Sequence, residues 1–175
     1  LYEFPYREQE EHIEGPILIV GAGTGNDVSA ALRRTQAPID AVEIDPTIIA
    51  IGRSHHPEQP YRSARVNLIT DDARSFFVKT KKHYAKVVFG FLDSHTLLSS
   101  FSTLRLDNFV YTQESLQRVK DILVPGGSVY VTFNSHTDWI HHRLIKLLDA
   151  VFDFPTQTVG LQQGLGEMIY VNRKA

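Results

Sequence analysis

The run Pro16-Ile-Leu-Ile-Val20, followed at once by Gly21-Ala-Gly-Thr-Gly25, constrains this chain more than any other feature. A short, continuous apolar stretch ending in glycines reads as a strand buried on both faces. Glycines there allow a tight turn and let the backbone approach a ligand closely, while N–H groups of the next helix face it. Asp27 to Arg34 supplies that helix, with acid at its start and Arg33-Arg34 at its end, which complements the macrodipole. The cycle then repeats. Ile39 to Ile44 is a strand, and Asp45-Pro46 opens a helix with Asp as N-cap and Pro at the first helical position.

Further along, Val66 to Ile69 is a strand, and Asp72 to Lys81 is a helix carrying Phe76 and Phe77. Tyr84 to Phe91 contains the apolar strand Val87-Val88-Phe89, and a segment from Leu92 to Asn108 follows that is too long for a simple connection. Thr112 to Leu123 is helical, with Leu116, Val119, Ile122 and Leu123 on one stripe. Pro125-Gly126-Gly127 turns into the strand Ser128 to Phe133. A helix from Asp138 to Phe152 and strands near Gln157–Val159 and Glu167–Val171 close the chain. Strands alternating with helices predict an α/β fold with a largely parallel sheet. The last two strands have no helix between them, which predicts an antiparallel pair at one edge.

With 175 residues, 42% of them hydrophobic, the chain has the size of one domain. Leu1 to Gly15, which mixes aromatics with the acidic run Glu8-Gln9-Glu10-Glu11, reads as an N-terminal arm, and residues 16–175 as the domain itself. The chain opens at Leu1 rather than Met, so it reads as a piece of something longer, and the arm as the stub of a missing segment. Lys plus Arg total 18 against 20 Asp plus Glu, and a net charge of −2 without a basic block argues against nucleic acid as a partner. The absence of cysteine excludes disulfides, thiolate zinc sites and cysteine nucleophiles. No signal peptide is recognisable, and no apolar run approaches the ~20 residues of a membrane helix. The expected location is the cytoplasm.

The glycine spacing narrows the ligand. A dinucleotide fingerprint needs a glycine where this chain has Asn26, which weakens a dehydrogenase reading. Glu43 ends the second strand 22 residues after Gly21, where an acidic side chain can accept both hydroxyls of a ribose. Asp45 is already explained by its cap. Of Asp71 and Asp72 before Ala73, one caps the next helix and the other is free to accept from an adenine amino group. Three strand ends thus describe a nucleoside-shaped crevice at the carboxyl edge of the sheet.

Val20-Gly-Ala-Gly-Thr-Gly25, Val42-Glu-Ile-Asp-Pro46, Asp71-Asp-Ala-Arg74 and Leu123-Val-Pro-Gly-Gly127 resemble the successive motifs of class I S-adenosylmethionine-dependent methyltransferases. Within that superfamily Val42–Pro46, Thr70–Phe77 and Leu106-Asp-Asn-Phe-Val-Tyr-Thr-Gln-Glu114 are most similar to spermidine synthases. The resemblance implies a Rossmann-like three-layer α/β/α sandwich. Its sheet would be seven-stranded and mostly parallel, with an antiparallel strand near the C-terminus. It also implies S-adenosylmethionine, or its decarboxylated form, in the crevice. Gly21, Gly23 and Gly25 would then face the methionine part, Glu43 the ribose, and Asp72 with Ala73 the adenine. Ala22, Thr24, Ile44 and Asp71 are expected among the cofactor-binding residues beside them.

The chain departs from the spermidine synthase pattern at three places. Thr24 stands where that family carries an Asp in the glycine loop. Its Asp-x-x-Asp-Pro motif after the fourth strand is Gly90-Phe-Leu-Asp93-Ser-His-Thr96 here, with one carboxylate. The family's N-terminal β-hairpin domain is missing from the sequence. Asp93 is nonetheless the expected catalytic residue, as proton acceptor for an amine, although Asp-Ser also suits a turn. His95 is a second candidate base.

Other features are read as structural. His136, His141 and His142 do not share a helical face, so no metal is expected. Lys79-Thr-Lys-Lys82 reads as a solvated helix end and Trp139 as packing; Asn108 to Tyr111 either lines an acceptor pocket or joins the core.

Three functions stay open. Methyl transfer to a small nucleophile stands marginally ahead, because a sulfonium supplies its own reactivity and one carboxylate suffices. The alternatives are aminopropyl transfer, with Asp93, Asp107 and Glu114 receiving a polycation, and a non-catalytic nucleoside-binding module. The expected partner is a small-molecule acceptor, of which an amine is one candidate; a homodimer stays open.

Overall fold

A computed structural model describes residues 2–6, 14–90, 92, 107–134, 137–160 and 167–175. Its strands are β1 (Ile17–Val20), β2 (Ile39–Glu43), β3 (Val66–Thr70), β4 (Tyr84–Phe89), β5 (Leu123–Asn134), β6 (Gln157–Gly160) and β7 (Glu167–Arg173). Its helices are α1 (Asn26–Arg34), α2 (Pro46–His55), α3 (Ala73–Lys79), α4 (Asp107–Val110), α5 (Gln113–Asp121) and α6 (Asp138–Asp149), with 3-10 turns at Phe4–Tyr6 and Pro60–Arg62. The sheet order is β3-β2-β1-β4-β5-β7-β6. Strands β1 to β5 pair in parallel, while β7 runs antiparallel between β5 and β6. This is the expected three-layer, mostly parallel architecture with its antiparallel edge.

Period-2 alternation sorts the strand residues onto two cores. Leu18, Val20, Val42, Val87 and Phe89 face Phe76 and Phe77 of α3, Leu116 of α5, and Leu144 and Leu148 of α6. On the other face Ile17, Ile19, Ile39, Ala41 and Val88 meet Val28, Ala30 and Ala31 of α1, with Tyr6 and Tyr61 from the 3-10 turns. All four residues of β1 are buried, as a strand covered on both sides requires. The carboxyl ends of β1 and β4 lie side by side where the connections diverge to opposite halves of the sheet. Open α/β sheets form their ligand crevice at that switch point.

Local chemistry sets the helix starts. Asp45 caps α2 by accepting from Thr47 N at 2.7 Å, Asp72 caps α3 from Ser75 N at 2.9 Å, and Thr112 caps α5 from Ser115 N at 3.2 Å. Helix α1 starts instead from Gly25, in the left-handed region at φ 108°, without a side-chain cap. Glu3 ion-pairs with both Arg33 and Arg34 at the other end of α1, so these arginines do more than face the macrodipole.

Three sequence readings are corrected. Pro125-Gly126-Gly127 is not a turn before a strand: β5 runs through it, with a register shift against Tyr84 and Lys86. Gly126 takes φ 76° there, and Gly126 and Gly127 exchange backbone hydrogen bonds with Lys174. Trp139 is 63% exposed, because it lies about 100° around α6 from Ile140, which begins the inward row with Leu144 and Leu148. Lys82 is more than a solvated helix end, since it neutralises Asp40, a 4%-exposed acid inside β2. Tyr84 and Asn67 donate to the same carboxylate at 2.7 and 2.8 Å. Burial alone would raise its pKa, but these three donors together hold it below the ordinary value.

Candidate nucleoside-binding site

The loop between β1 and α1 carries Gly21, Gly23 and Gly25 at φ 69°, 57° and 108°, a backbone that only glycine adopts without strain. Its amides are spoken for on the strand side: Gly21 N and Ala22 N both donate to Val42 O, at 2.9 and 3.0 Å. Glu43, 7% exposed at the end of β2, fastens the loop further. One carboxylate oxygen accepts from Gly23 N and the other from Asp45 N, both at 2.9 Å. A carboxylate has about four acceptor positions, so two remain after these bonds.

A residue that the sequence reading did not single out braces the loop from behind. The Tyr61 hydroxyl approaches the carbonyls of Ala22 and Gly23 at 3.0 and 2.7 Å. Burial, then the charges of Glu43 and Asp27, push its pKa well up, so the phenol stays a donor. Gly52 of α2 lies so close beneath Thr24 that a Cβ there would stand 2.5 Å from the Thr24 carbonyl oxygen. Neither contact has a local sequence signature: Tyr61 lies 38 residues beyond Gly23, and only the fold brings them together.

The other nominated residues divide. Ile44 is 47% exposed beside Glu43. Thr24 contributes backbone to the loop. Asp72 is the capping acid of its pair. Asp71 is the other, but it ion-pairs with Lys79 at 3.1 Å and accepts from Asp72 N at 2.9 Å, and these bonds lower its pKa, that from Lys79 most. The capping bond uses Oδ1 of Asp72, leaving its second oxygen for a ligand. Ala73 begins α3 next to it. Asp93 and His95 lie outside the described residues, as does His136. Among the described residues no three His, Cys, Asp or Glu side chains group as metal ligands. His141 instead shares a 2.9 Å hydrogen bond with Tyr170, and His142 donates to the Asp138 carbonyl at 2.7 Å. Val110 is buried and Tyr111 packs on Phe89 and Phe133, so this end of α4 belongs to the core, while Phe109 is exposed.

A cavity of about 1130 Å³ lies elsewhere, among Tyr6, Pro16, Pro38, Lys86, Tyr130 and Arg173. That is the amino-terminal edge of the parallel strands, the edge away from the glycine loop. We place the candidate site at the loop, where glycines and an anchored carboxylate converge, because volume alone supplies no recognition.

Comparison with known proteins identifies the family. The family described as "Spermine/spermidine synthase domain" matches residues 8–153. This chain belongs to that family. Among curated relatives, a polyamine aminopropyltransferase of Buchnera aphidicola (strain Tuc7) is 31% identical over 155 residues, 82% of this chain and 53% of the relative. Another, from Korarchaeum cryptofilum, is 26% identical over 149 residues, 79% of this chain and 42% of the relative. The chain thus spans about half the length of the curated relatives it matches. The fold is shared with a spermidine synthase solved with the transition-state analogue AdoDATO, at TM-score 0.75 and 18% identity over 92% of this chain and 55% of that one. It is shared equally with human methyltransferase-like protein 13 in complex with SAH, at TM-score 0.75 and 21% identity over 93% and 73%. Family membership extends to the sequence; the structural likeness is one of fold. Among the described residues, no helix of this spermidine synthase-family chain is long and apolar enough to cross a membrane.

Proposed function

We propose that the crevice at the ends of β1, β2 and β3 binds decarboxylated S-adenosylmethionine, and that the protein transfers its aminopropyl group to an amine. One observation carries this reading: in a chain of the spermine/spermidine synthase domain family, Glu43 stands fixed 2.9 Å from the glycine-loop amide with acceptor capacity to spare. The residues present fit a nucleoside. Glu43 would accept the ribose hydroxyls, Ile44 would offer an apolar face to the adenine, and the second oxygen of Asp72 would accept from its amino group. The open face of Gly23, whose added Cβ would meet nothing nearer than 3.8 Å, leaves room for backbone contact. Bound there, the donor supplies a sulfonium-activated carbon, so the protein need only align a nucleophile and receive its proton. Asp93 is the residue proposed for that proton, with His95 as the alternative base.

This places aminopropyl transfer ahead of methyl transfer, reversing the order drawn from the motifs alone. The polyamine aminopropyltransferase relatives and the family match support the change. Methyl transfer keeps one specific observation in its favour, Thr24 in place of a loop acid. Titration calorimetry with decarboxylated S-adenosylmethionine, S-adenosylmethionine and methylthioadenosine, followed by a product assay with a diamine, tests the proposal. Tighter binding of the decarboxylated form and appearance of methylthioadenosine are the expected results. Tighter binding of the intact form with methylated product would overturn it.

A further inference from the structure

Three acids are buried among the described residues: Asp27, Asp40 and Glu43. Asp40 is satisfied by Lys82, Tyr84 and Asn67, and Glu43 by two backbone amides. Asp27, 7% exposed in the first turn of α1, receives no side-chain hydrogen bond from any other described residue. Its own backbone N–H is the hydrogen bond that the carboxylate keeps, and burying a carboxylate with so little compensation costs several kcal/mol, so such a group is not kept for stability.

Its position is informative. A Cβ on Gly90, just past β4, would stand 2.9 Å from Asp27 Oδ2 and 3.2 Å from the Gly21 carbonyl oxygen. Two acceptors therefore flank the same side of Gly90, at the switch point between β1 and β4, and glycine there keeps the strand end clear of them. The described side chains whose titration couples to Asp27 are Tyr6 and Tyr61, neither of them a cation, and the one positive charge acting on it is the N-terminal amino group of the chain. Burial pushes the Asp27 carboxyl up to about 7, outweighing the hydrogen bond from its own backbone N–H and the N-terminal charge. A carboxylate and a carbonyl, both acceptors, are complemented by a compact cation with several N–H donors, which an alkylammonium is and a hydroxyl is not.

We propose that Asp27 is the carboxylate that receives a primary ammonium group of the ligand bound in this crevice. It supplies, from the first turn of α1, an acid found neither at Thr24 nor at Gly90. The assignment rests on the nucleoside reading above. The ammonium belongs either to the aminopropyl donor or to the amine acceptor, and the two sources separate experimentally.

The test is calorimetry on the full chain and its Asp27→Asn variant. The ligands are decarboxylated S-adenosylmethionine, methylthioadenosine (the same nucleoside without an ammonium), and putrescine added to the methylthioadenosine complex. We expect Asp27→Asn to weaken an ammonium-bearing ligand about tenfold or more while methylthioadenosine binds as in the wild type. Loss on the decarboxylated donor assigns its ammonium; loss on putrescine alone assigns the acceptor's. Methylthioadenosine binding reports that the variant is folded, and Asp27→Ser gives the same comparison should Asn not be accommodated. Unchanged affinity for both ammonium ligands, or equal loss on all three, overturns the proposal while leaving the nucleoside reading standing. Wild-type protein that binds none of them overturns both.

Discussion

The carboxylate of Glu43 accepts the backbone N–H of Gly23 at 2.9 Å, across 20 residues of sequence. The end of one strand is thereby tied to the turn that follows its neighbour, and the acid proposed to read the ligand also shapes the loop that surrounds it. On that proposal, recognition and loop geometry share one side chain.

Glu43→Ala is therefore expected to act twice. It removes the proposed ribose acceptor and leaves the amides of Gly23 and Asp45 without their partner. Nucleoside affinity should fall by about 1–3 kcal/mol, with a melting-temperature decrease beside it. Glu43→Gln, which keeps one acceptor oxygen, should recover part of the stability and less of the affinity. Calorimetry and thermal denaturation on both variants check this; unaltered affinity would remove Glu43 from the site.

Tyr61→Phe deletes one hydroxyl that serves two loop carbonyls. We expect a stability loss of about 1 kcal/mol and weaker nucleoside binding, although Tyr61 stands behind the loop rather than in the crevice. Denaturant unfolding measured beside the dissociation constant decides the matter: a stability loss with no change in binding would show that the loop holds its shape without this brace.

Gly52→Ala tests the contact between α2 and the loop. The three atoms nearest the added Cβ are all Thr24 backbone, at 2.5 to 2.9 Å, so the clash is not one that a side chain could relieve by swinging aside. The helix has to shift, at a cost of about 1–3 kcal/mol that outweighs the higher helix propensity of Ala. A variant as stable as the wild type would show that α2 moves freely against the loop.

The two other buried acids have opposite pH signatures. Asp27 is raised to about 7, so its unfolded form ionises first as pH rises above about 3.9. More protons are then bound in the folded state, and stability falls between about pH 4 and 7, by on the order of 4 kcal/mol. Asp40 is lowered, so its contribution is present above its ordinary range and is lost as pH falls through its folded value. Chemical denaturation at pH 5 and pH 8 should show the wild type losing stability with rising pH and Asp27→Asn losing much less. Parallel pH profiles would show that Asp27 is solvated in solution.

The legible part of the fold came from period and punctuation. Four consecutive apolar residues at Ile17–Val20 could only be a covered strand, and Asp45-Pro46 could only open a helix. The strand through Pro125-Gly126-Gly127 was not legible, because local turn chemistry there is overridden by pairing with a distant segment at Lys174. Trp139 was misjudged because composition alone does not give the phase of α6, which the row Ile140, Leu144, Leu148 sets.

The site divides along the same line. The sequence by itself determined the glycine loop, the acid at the end of β2 and the capping aspartate, since each follows from steric or hydrogen-bonding demands within a few residues of chain. Only the tertiary structure decided that Glu43 clasps Gly23, that Tyr61 and Gly52 brace the loop, and that Asp27 faces Gly90. Those relationships join residues from 20 to 63 positions apart. No local propensity encodes such distances; parallel pairing of β1 with β2 and β4 does, because it carries the strand ends to one edge.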